Sequence, residues 1–356
     1  MRPRERVTMT SRERVKAALE HRQPDRCPVD FWAVSELVER LAAHYGVAGE
    51  DELLDIFQVD MQFIFPDCKL MPFPREPDGT WFDEMGVHRR EVRNSFCVYE
   101  EYASSPLGYA EEVEDLQRYD RWPSIDNFDW DTFAEKIAPA HEKRYTKLYS
   151  GGLFEYAWAL RGYEQFMMDM VESPEIAHYI MEKLCTYWCA FVEKALTVAG
   201  DHIDVVYVYD DIASQNSLLM SPAFLEEFIY PYHRRVNAVA KRFGKTIIYH
   251  SCGAVVPEIP RIAALPVDVL NPLQPKAAGM DFAMLKRTYG STLCFHGGIC
   301  IQELMPFGTP EQVRAAARRA VSVLGENGGY IMCTAHYMQN DTPIENVEAL
   351  YDVSNR

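Results

Sequence analysis

The chain has 356 residues, of which 48% are hydrophobic and 12% are aromatic. This composition suffices for a large buried core and excludes an intrinsically disordered protein. The formal net charge is −17, and the 36 lysines and arginines form no basic patch or run, which excludes a nucleic-acid-binding protein. A cationic partner or a carrier protein is compatible with this charge.

The nine cysteines are scattered along the chain, and their number is odd. A domain of this size needs no disulfide cross-links, so we expect reduced cysteines and a cytoplasmic location. The sequence shows no apolar segment suited to a signal peptide or a membrane span. We therefore expect a soluble protein without a membrane partner.

The first predicted helix follows Thr10, which has the spacing of a capping box with Glu13. Two short β-rich runs come next, at Cys27–Phe31 and Met61–Phe65. Residues 66–130 then break the pattern with many prolines and a turn at Pro77–Thr80. We interpret this stretch as a hairpin-bearing insertion that covers one end of the fold.

From about residue 145, β-rich runs alternate with long amphipathic segments, which is typical of a parallel sheet with crossover helices. The predicted strands of this part are Lys147–Ser150, Asp204–Asp210, Thr246–His250, Val267–Leu270, Thr292–His296 and Tyr330–Cys333. With the two earlier runs they make eight. The pattern predicts an α/β fold in which residues 1–356 form a single (β/α)8 TIM barrel with an insertion between early strands. A doubly wound sheet is the alternative.

Polar side chains follow the predicted strands, and barrel active sites lie at the carboxyl ends of strands, where the loops converge. We therefore expect these residues to form one site: Asp30, Asp67, Glu155, Asp210, Asp211, His250, Cys252, Gln274, His296 and His336. In the alternative interpretation, the Asp210-Asp211 pair only caps the next helix at its N-terminus, and His296 only holds a loop by hydrogen bonding.

His250 and Cys252 carry the strongest chemical signal. Alternate residues of a strand share a face, so both side chains can reach one ion. Imidazole and thiolate suit zinc, and a third ligand from a distant strand, Cys333 or His336, would leave one coordination position open for a substrate. The alternative is a buried pair without a metal, because cysteine is often a small core residue.

Several segments resemble the uroporphyrinogen decarboxylase superfamily, and the resemblance extends to the start of the chain. These segments are Ser11–Val15, Pro24–Asp30, Tyr249–Gly253, Asp268–Gln274, Phe295–Ile299, Gly328–Tyr330 and Asp341–Asn346. The superfamily implies a single (β/α)8 barrel. The chain lacks the Arg-Gln-Ala-Gly-Arg-Tyr and Phe-Ser-Asp-Ile segments of the true decarboxylases. It is more similar to the zinc-dependent, cobamide-linked methyltransferases, such as the methylcobamide:coenzyme M methyltransferases.

That branch uses a His-x-Cys motif followed by a distant cysteine, and His250 and Cys252 match its first two positions. Alignment of the C-terminal segment places His336 where the branch has the second cysteine, with Cys333 three residues upstream. The resemblance therefore implies zinc as cofactor, held by His250 and Cys252 with His336 or Cys333. It also implies a corrinoid carried by a partner protein, while a homodimer is left open.

The implied reaction is methyl transfer between a corrinoid carrier and a small molecule, either a thiol or a methyl ether or amine as in O-demethylases. The residues expected to assist catalysis are Asp210, Asp211, Glu155 and His296, and those expected to contact the substrate are Gln274, Tyr209, Trp158 and Asp67. One alternative is a lyase acting on a tetrapyrrole, with proton transfer by Asp210. Another is a barrel that binds a small ligand without catalysis.

Overall fold

The computed structural model describes residues 8–94 and 96–352, so the charged N-terminal residues 1–7 lie outside it. The strands are β1 (Met61–Ile64), β2 (Trp81–Phe82), β3 (His88–Arg93), β4 (Val98–Ser104), β5 (Tyr145–Tyr149), β6 (Val205–Tyr209), β7 (Thr246–His250), β8 (Val269–Leu273), β9 (Cys294–Ile299) and β10 (Tyr330–Thr334). Seven of them form one sheet in the order β1-β5-β6-β7-β8-β9-β10. All neighbours in this sheet pair in parallel, which confirms the predicted α/β barrel class.

The helices that alternate with the strands include the predicted capping box of Thr10 with Glu13, and Thr309 forms a second one with Gln312. The helices are α1 (Ser11–Leu19), α2 (Ser35–Tyr45), α3 (Glu50–Ile56), α4 (Val113–Gln117), α5 (Phe133–Lys143), α6 (Leu153–Arg161), α7 (Tyr163–Glu172), α8 (Pro174–Ala199), α9 (Pro222–Phe224), α10 (Tyr230–Arg242), α11 (Ile259–Ala263), α12 (Phe282–Tyr289), α13 (Leu304–Phe307), α14 (Pro310–Leu324) and α15 (Ile344–Asp352). Among the described residues, no helix is long and apolar enough to cross a membrane.

One of the eight predicted strands, Cys27–Phe31, is not a regular strand in the structure, and that prediction is wrong. Within the segment, Val29 makes an isolated bridge to Met332 of β10, and Ala33, two residues past the segment, makes another to Met338. On its other side, Asp60 donates its N–H to the carbonyl of Val29 at 2.9 Å. Pro28 lacks an N–H, which limits a continuous ladder here. The segment nevertheless hydrogen-bonds on both sides, between β10 and the start of β1, and so closes the barrel.

The strands alternate between the barrel interior and the helical layer, because successive side chains point to opposite faces. Val205, Tyr207 and Tyr209 of β6 lie in the interior cluster, whereas Val206 and Val208 belong to the cluster under the helices. The same alternation on the neighbouring strands directs Ile248, Ile331 and Cys333 into the interior. The alternation of side chains along each strand therefore determines which residues face the barrel interior and which pack under the helices.

The segment predicted as an insertion contains a small antiparallel sheet in the order β2-β3-β4. It contacts the barrel at two points near the candidate site. The Tyr99 hydroxyl donates to Oε1 of Gln339 at 2.6 Å, and the Tyr102 hydroxyl donates to Oε1 of Glu155 at 3.3 Å. The division into one domain with an insertion at 66–130 stays a prediction.

Candidate metal centre

The candidate site is centred on His250, Cys252 and His336. His250 is the last residue of β7, Cys252 lies two residues further on, and His336 follows β10. One potential ligand atom of each residue lies within 4.8 Å of those of the other two. The Sγ of Cys252 is 3.4 Å from Nε2 of His250. The structure thus brings together the predicted His-x-Cys pair and one of its two downstream candidates.

Hydrogen bonds from the backbone fix the loop that carries Cys252. The N–H of Cys252 donates to Oδ1 of Asp211 at 2.7 Å, and the N–H of Gly253 donates to Oε1 of Gln274 at 2.9 Å. Gly253 has a φ of +93°, and a Cβ there would lie 2.4 Å from the backbone oxygen of Ser214. Glycine is therefore required where the chain turns away from Cys252.

Both histidines present neutral rings to the cluster. Nδ1 of His250 lies 2.6 Å from Oδ1 of Asn271, which turns Nε2 toward Cys252. Burial lowers the pKa of His250, although the charge of Asp211 opposes the effect. Burial and the neighbouring His250 lower the pKa of His336 to about 4. Neutral imidazole is the form that binds metal ions, and metal-binding histidines commonly hydrogen-bond through their other ring nitrogen.

The donor set fits a zinc ion, since two imidazole nitrogens and one cysteine sulfur are common zinc ligands. Burial raises the pKa of Cys252 well above its ordinary value, and the charges of Asp211 and Glu155 add to the effect. The thiol is therefore protonated when no cation is bound. A divalent cation favours the thiolate, and Asp211, whose Oδ1 is 3.5 Å from Nε2 of His250, adds negative charge beside the donors.

Cys333, the other predicted third ligand, belongs to a different trio with Asp30 and His296. Cys333 lies within β10 and points into the barrel interior, whereas His336 lies past the strand end, at the barrel mouth. The buried trio does not suit a metal, because the ammonium of Lys147 already forms an ion pair with Asp30. The prediction that Cys333 could be the third ligand beside His250 and Cys252 is therefore corrected, because His336 occupies that place.

Asp210, predicted to be catalytic, is fully buried and has a different set of partners. Its two oxygens accept hydrogen bonds from the N–H groups of Phe154 and Glu155, at 2.9 and 3.0 Å. Nε2 of His233 lies 2.6 Å from Oδ2. Helix α6 has Gly152 at its N-cap and no cap from its own side chains, so Asp210 supplies the cap from β6. These contacts are those of a helix cap, but the capped helix is α6, which precedes Asp210 in the chain, and not the following helix of the alternative interpretation.

Glu155 is a partly buried carboxyl group with an altered proton affinity. Burial, followed by the charges of Asp210 and Asp211, raises the pKa of Glu155 to about 7. Tyr102 donates a hydrogen bond to Oε1 at 3.3 Å. A carboxyl group with this pKa can hold or release a proton near neutral pH, which is the property of a general acid or base.

His296 lies in the barrel interior rather than at the mouth. Its Nε2 donates to Oδ2 of Asp30 at 2.9 Å, and its Nδ1 is 2.5 Å from Nδ2 of Asn271. Asn271 also forms a hydrogen bond with His250, so His296 is connected to the cluster through one amide. It therefore supports the candidate ligand His250 from behind and does not face the open mouth.

The four residues predicted to contact a substrate lie in different places. Gln274 lines a cavity of about 170 Å³ beside His336. Tyr209 is buried in the interior against Tyr149, with ring centroids 5.1 Å apart. Trp158 packs against Tyr102, with centroids 4.9 Å apart. Asp67 is exposed and forms a surface ion pair with Lys136 on α5, so its assignment to the substrate pocket is corrected.

Three partners in the site were missed from the sequence: Asn271, Lys147 and His233. Asn271 was noted only as part of the Asp268–Gln274 segment. Asn271 lies next to His250 through the register in which β7 pairs with β8, and no sequence pattern indicated that register. Lys147 in an apolar strand was a signal of a buried ion pair, since lysine is seldom buried unless paired. His233 lies in a long amphipathic helix, where no pattern distinguishes it.

The sequence pattern of the uroporphyrinogen decarboxylase (URO-D) family matches residues 133–356. The chain is 28% identical over 196 residues to a methylated-thiol–coenzyme M methyltransferase of Methanosarcina mazei, covering 55% of this chain and 49% of that protein. It is 24% identical over 198 residues to a uroporphyrinogen decarboxylase of Anaeromyxobacter dehalogenans, covering 54% and 51%. The matched region thus spans about half the length of these curated relatives.

A solved structure of a methyltransferase from Methanosarcina mazei shares the fold over nearly the whole chain. It has 18% sequence identity, a TM-score of 0.67 and coverage of 98% of both chains. This similarity agrees with the parallel sheet described above. Because the family pattern matches more than half of the sequence, the chain belongs to the uroporphyrinogen decarboxylase family.

Proposed function

We propose that this protein is a methyltransferase that moves a methyl group between a small molecule and a corrinoid carried by a partner protein. Zinc would be held by His250, Cys252 and His336. The observation that carries the proposal is the convergence of these three donors at the barrel mouth, within 4.8 Å of one another. Bound zinc would lower the pKa of a thiol or act as a Lewis acid on an ether oxygen.

The cavity beside His336 is the proposed position of the small molecule. It has a volume of about 170 Å³, and its wall combines the polar side chains of Gln215, Gln274, Lys276 and Gln302 with the apolar side chains of Pro275, Ile301 and Ala335. This size and mixed lining suit a small substrate that has both an apolar part and a polar group. The Methanosarcina mazei relative is named for methylated thiols and coenzyme M, which supports a thiol as one substrate here.

Glu155 is the proposed proton acceptor. A thiol that receives a methyl group gives up its proton, and a carboxylate with a pKa of about 7 can take that proton near neutral pH. Asp211 would position the ligand loop through its hydrogen bond to the N–H of Cys252 at 2.7 Å. Together these residues provide a base and a fixed donor set at one mouth of the barrel.

Metal analysis and a corrinoid assay test this proposal. We expect about one zinc ion per chain in the wild-type protein and its loss in Cys252→Ala. Purified protein should change the cobalt absorbance of a methylated corrinoid when a suitable thiol is added, and the reverse change is expected with a methylated donor and reduced corrinoid. A protein that stays metal-free in the presence of zinc, or no spectral change with any thiol, methyl ether or methylamine, would overturn the proposal.

The contacts of Asp210 favour the methyltransferase over the alternative of a tetrapyrrole lyase. That alternative assigned proton transfer to Asp210, whose carboxylate is fully buried and is already bonded to two backbone N–H groups and His233. The same preparation incubated with a porphyrinogen separates the two reactions, since only the lyase would release carbon dioxide. A barrel without catalysis would give neither product.

A further inference from the structure

A chain of buried hydrogen bonds runs from Asp30 behind the candidate metal centre to His250. Oδ2 of Asp30 accepts from Nε2 of His296 at 2.9 Å, and Nδ1 of His296 is 2.5 Å from Nδ2 of Asn271. Oδ1 of Asn271 is 2.6 Å from Nδ1 of His250. All four side chains are buried. Each hydrogen bond needs one donor and one acceptor, so the proton positions along this chain depend on one another.

The charge of Asp30 sets one end of the chain. Its Oδ2 forms an ion pair with Lys147 and accepts from Nε1 of Trp32 at 3.0 Å, while Oδ1 accepts from the N–H of Phe31 at 2.9 Å. Burial by itself would raise the pKa of Asp30, but the charge of Lys147 and the bond from His296 outweigh it and hold the pKa well below its usual range. An ionised carboxylate only accepts hydrogen bonds, so Nε2 of His296 must carry a proton.

His296 is neutral, because burial lowers its pKa more than Asp30 raises it. Lys147 already balances the charge of Asp30, so an imidazolium here would be a buried cation with no counter-charge. A neutral imidazole has one N–H only. With that N–H at Nε2, Nδ1 of His296 is an acceptor, and the group facing it must be the NH₂ of Asn271.

The orientation of Asn271 then determines the protonation of His250. With its NH₂ directed at His296, Asn271 presents Oδ1 to Nδ1 of His250, which must donate. The hydroxyl of Tyr207 also donates to this Oδ1, at 3.4 Å, in agreement with the same orientation. If the amide were reversed, His250 would carry its proton on Nε2, the atom that faces Cys252 at 3.4 Å.

We propose that Asp30, His296 and Asn271 are positioning residues that fix the tautomer of His250, so that Nε2 presents a lone pair to a metal ion. This inference rests on the proposed function only for the identity of the metal. Its consequence is that groups in the barrel interior, with no access to substrate, control the affinity of the centre. Outer partners of metal-binding histidines typically contribute about 10–100-fold in affinity.

Nitrogen-15 NMR of the histidine rings tests this inference in the metal-free protein. Long-range proton–nitrogen correlations distinguish a protonated ring nitrogen from one with a lone pair, and His250→Gln identifies the His250 signals among those of the ten histidines. We expect the wild-type protein to carry the His250 proton on Nδ1. Asn271→Leu should release this constraint and weaken zinc binding by about 10–100-fold in competition with a chelator.

A matched control and a second variant separate the effect on the His250 tautomer from a general loss of stability. The control is Asn237→Leu, which removes another buried asparagine. Asn237 lies on α10 and donates a hydrogen bond from Nδ2 to the carbonyl of Leu265 at 2.6 Å. This variant should change neither the tautomer of His250 nor the zinc affinity. His296→Phe keeps a ring but removes the acceptor that orients Asn271, and should act like Asn271→Leu. A wild-type His250 protonated on Nε2, or a wild-type tautomer in both variants, would overturn the inference. Absence of zinc binding by the wild-type protein would instead overturn the proposed function, and the NMR result would still decide the tautomer.

Discussion

Nε2 of His233 lies 2.6 Å from Oδ2 of Asp210, and both side chains are fully buried. Asp210 also caps α6 through two backbone N–H groups, so its removal leaves three buried donors without an acceptor. We expect Asp210→Ala to lower the free energy of unfolding by about 2–5 kcal/mol in a denaturant titration. Zinc bound per folded chain should stay at the wild-type level. A variant of wild-type stability that has lost methyl transfer would contradict this structural role.

We expect substitutions of His336 and of Cys333 to differ in their effect on zinc binding. His336→Ala removes a donor from the cluster at the mouth, whereas Cys333→Ala changes the interior trio that already contains Lys147. We expect His336→Ala to weaken zinc binding by more than the ~100-fold upper range of outer partners. Cys333→Ala should keep one zinc per chain and lose only stability. Chelator competition measures both, and the reverse ranking would show that Cys333 is the ligand.

The raised pKa of Glu155 predicts a pH-dependent effect on stability in the metal-free protein. The folded state binds this proton more tightly than the unfolded state, so the contribution of Glu155 to stability falls as the pH rises from 4.5 to about 7. We expect Glu155→Gln to be more stable than the wild-type protein at pH 8 by about 1–3 kcal/mol, with little difference at pH 4. Unfolding at both pH values measures this. Glu227→Gln, at an exposed glutamate, is the matched control for the loss of one carboxyl group.

The ion pair between Lys147 and Asp30 is buried, and only 1% of each side chain is exposed. Removing one partner leaves an uncompensated charge in the barrel interior, so we expect Lys147→Met to cost about 3–5 kcal/mol of stability. The surface pair of Lys136 with Asp67 offers a matched control. Lys136→Met should cost about 0–1 kcal/mol, because solvent screens exposed pairs. Equal losses in the two variants would contradict the role given to burial.

The barrel and part of the site were predictable because they follow local rules. The period of two in β7 places His250 on the interior side, in line with Ile248, and Cys252 continues from it toward the mouth. Alternation could not decide between Cys333 and His336, since His336 lies past the end of β10, where the strand period no longer applies. The resemblance to the methyltransferase branch left both residues open, and the structure places His336, not Cys333, in one group with His250 and Cys252.

The remaining contacts depend on tertiary structure that no local pattern encodes. Asn271 reaches His250 because β7 and β8 pair in that register, and His233 reaches Asp210 across the layer between α10 and β6. Asp67 follows β1 as predicted, but its side chain turns outward to α5. Position at a strand end therefore indicates the correct end of the barrel without giving the direction of the side chain.

The close contact between Gly253 and the loop of Ser214 affects the conformational entropy that is lost when a metal ion binds. The N–H of Ala254 also bonds the carbonyl of Ser214, at 2.9 Å, so the two loops at the mouth are joined on both sides of the glycine. Such a preorganised pair of loops loses little conformational entropy when an ion arrives. Ion uptake should consequently cause only a small change in the backbone structure of these two loops.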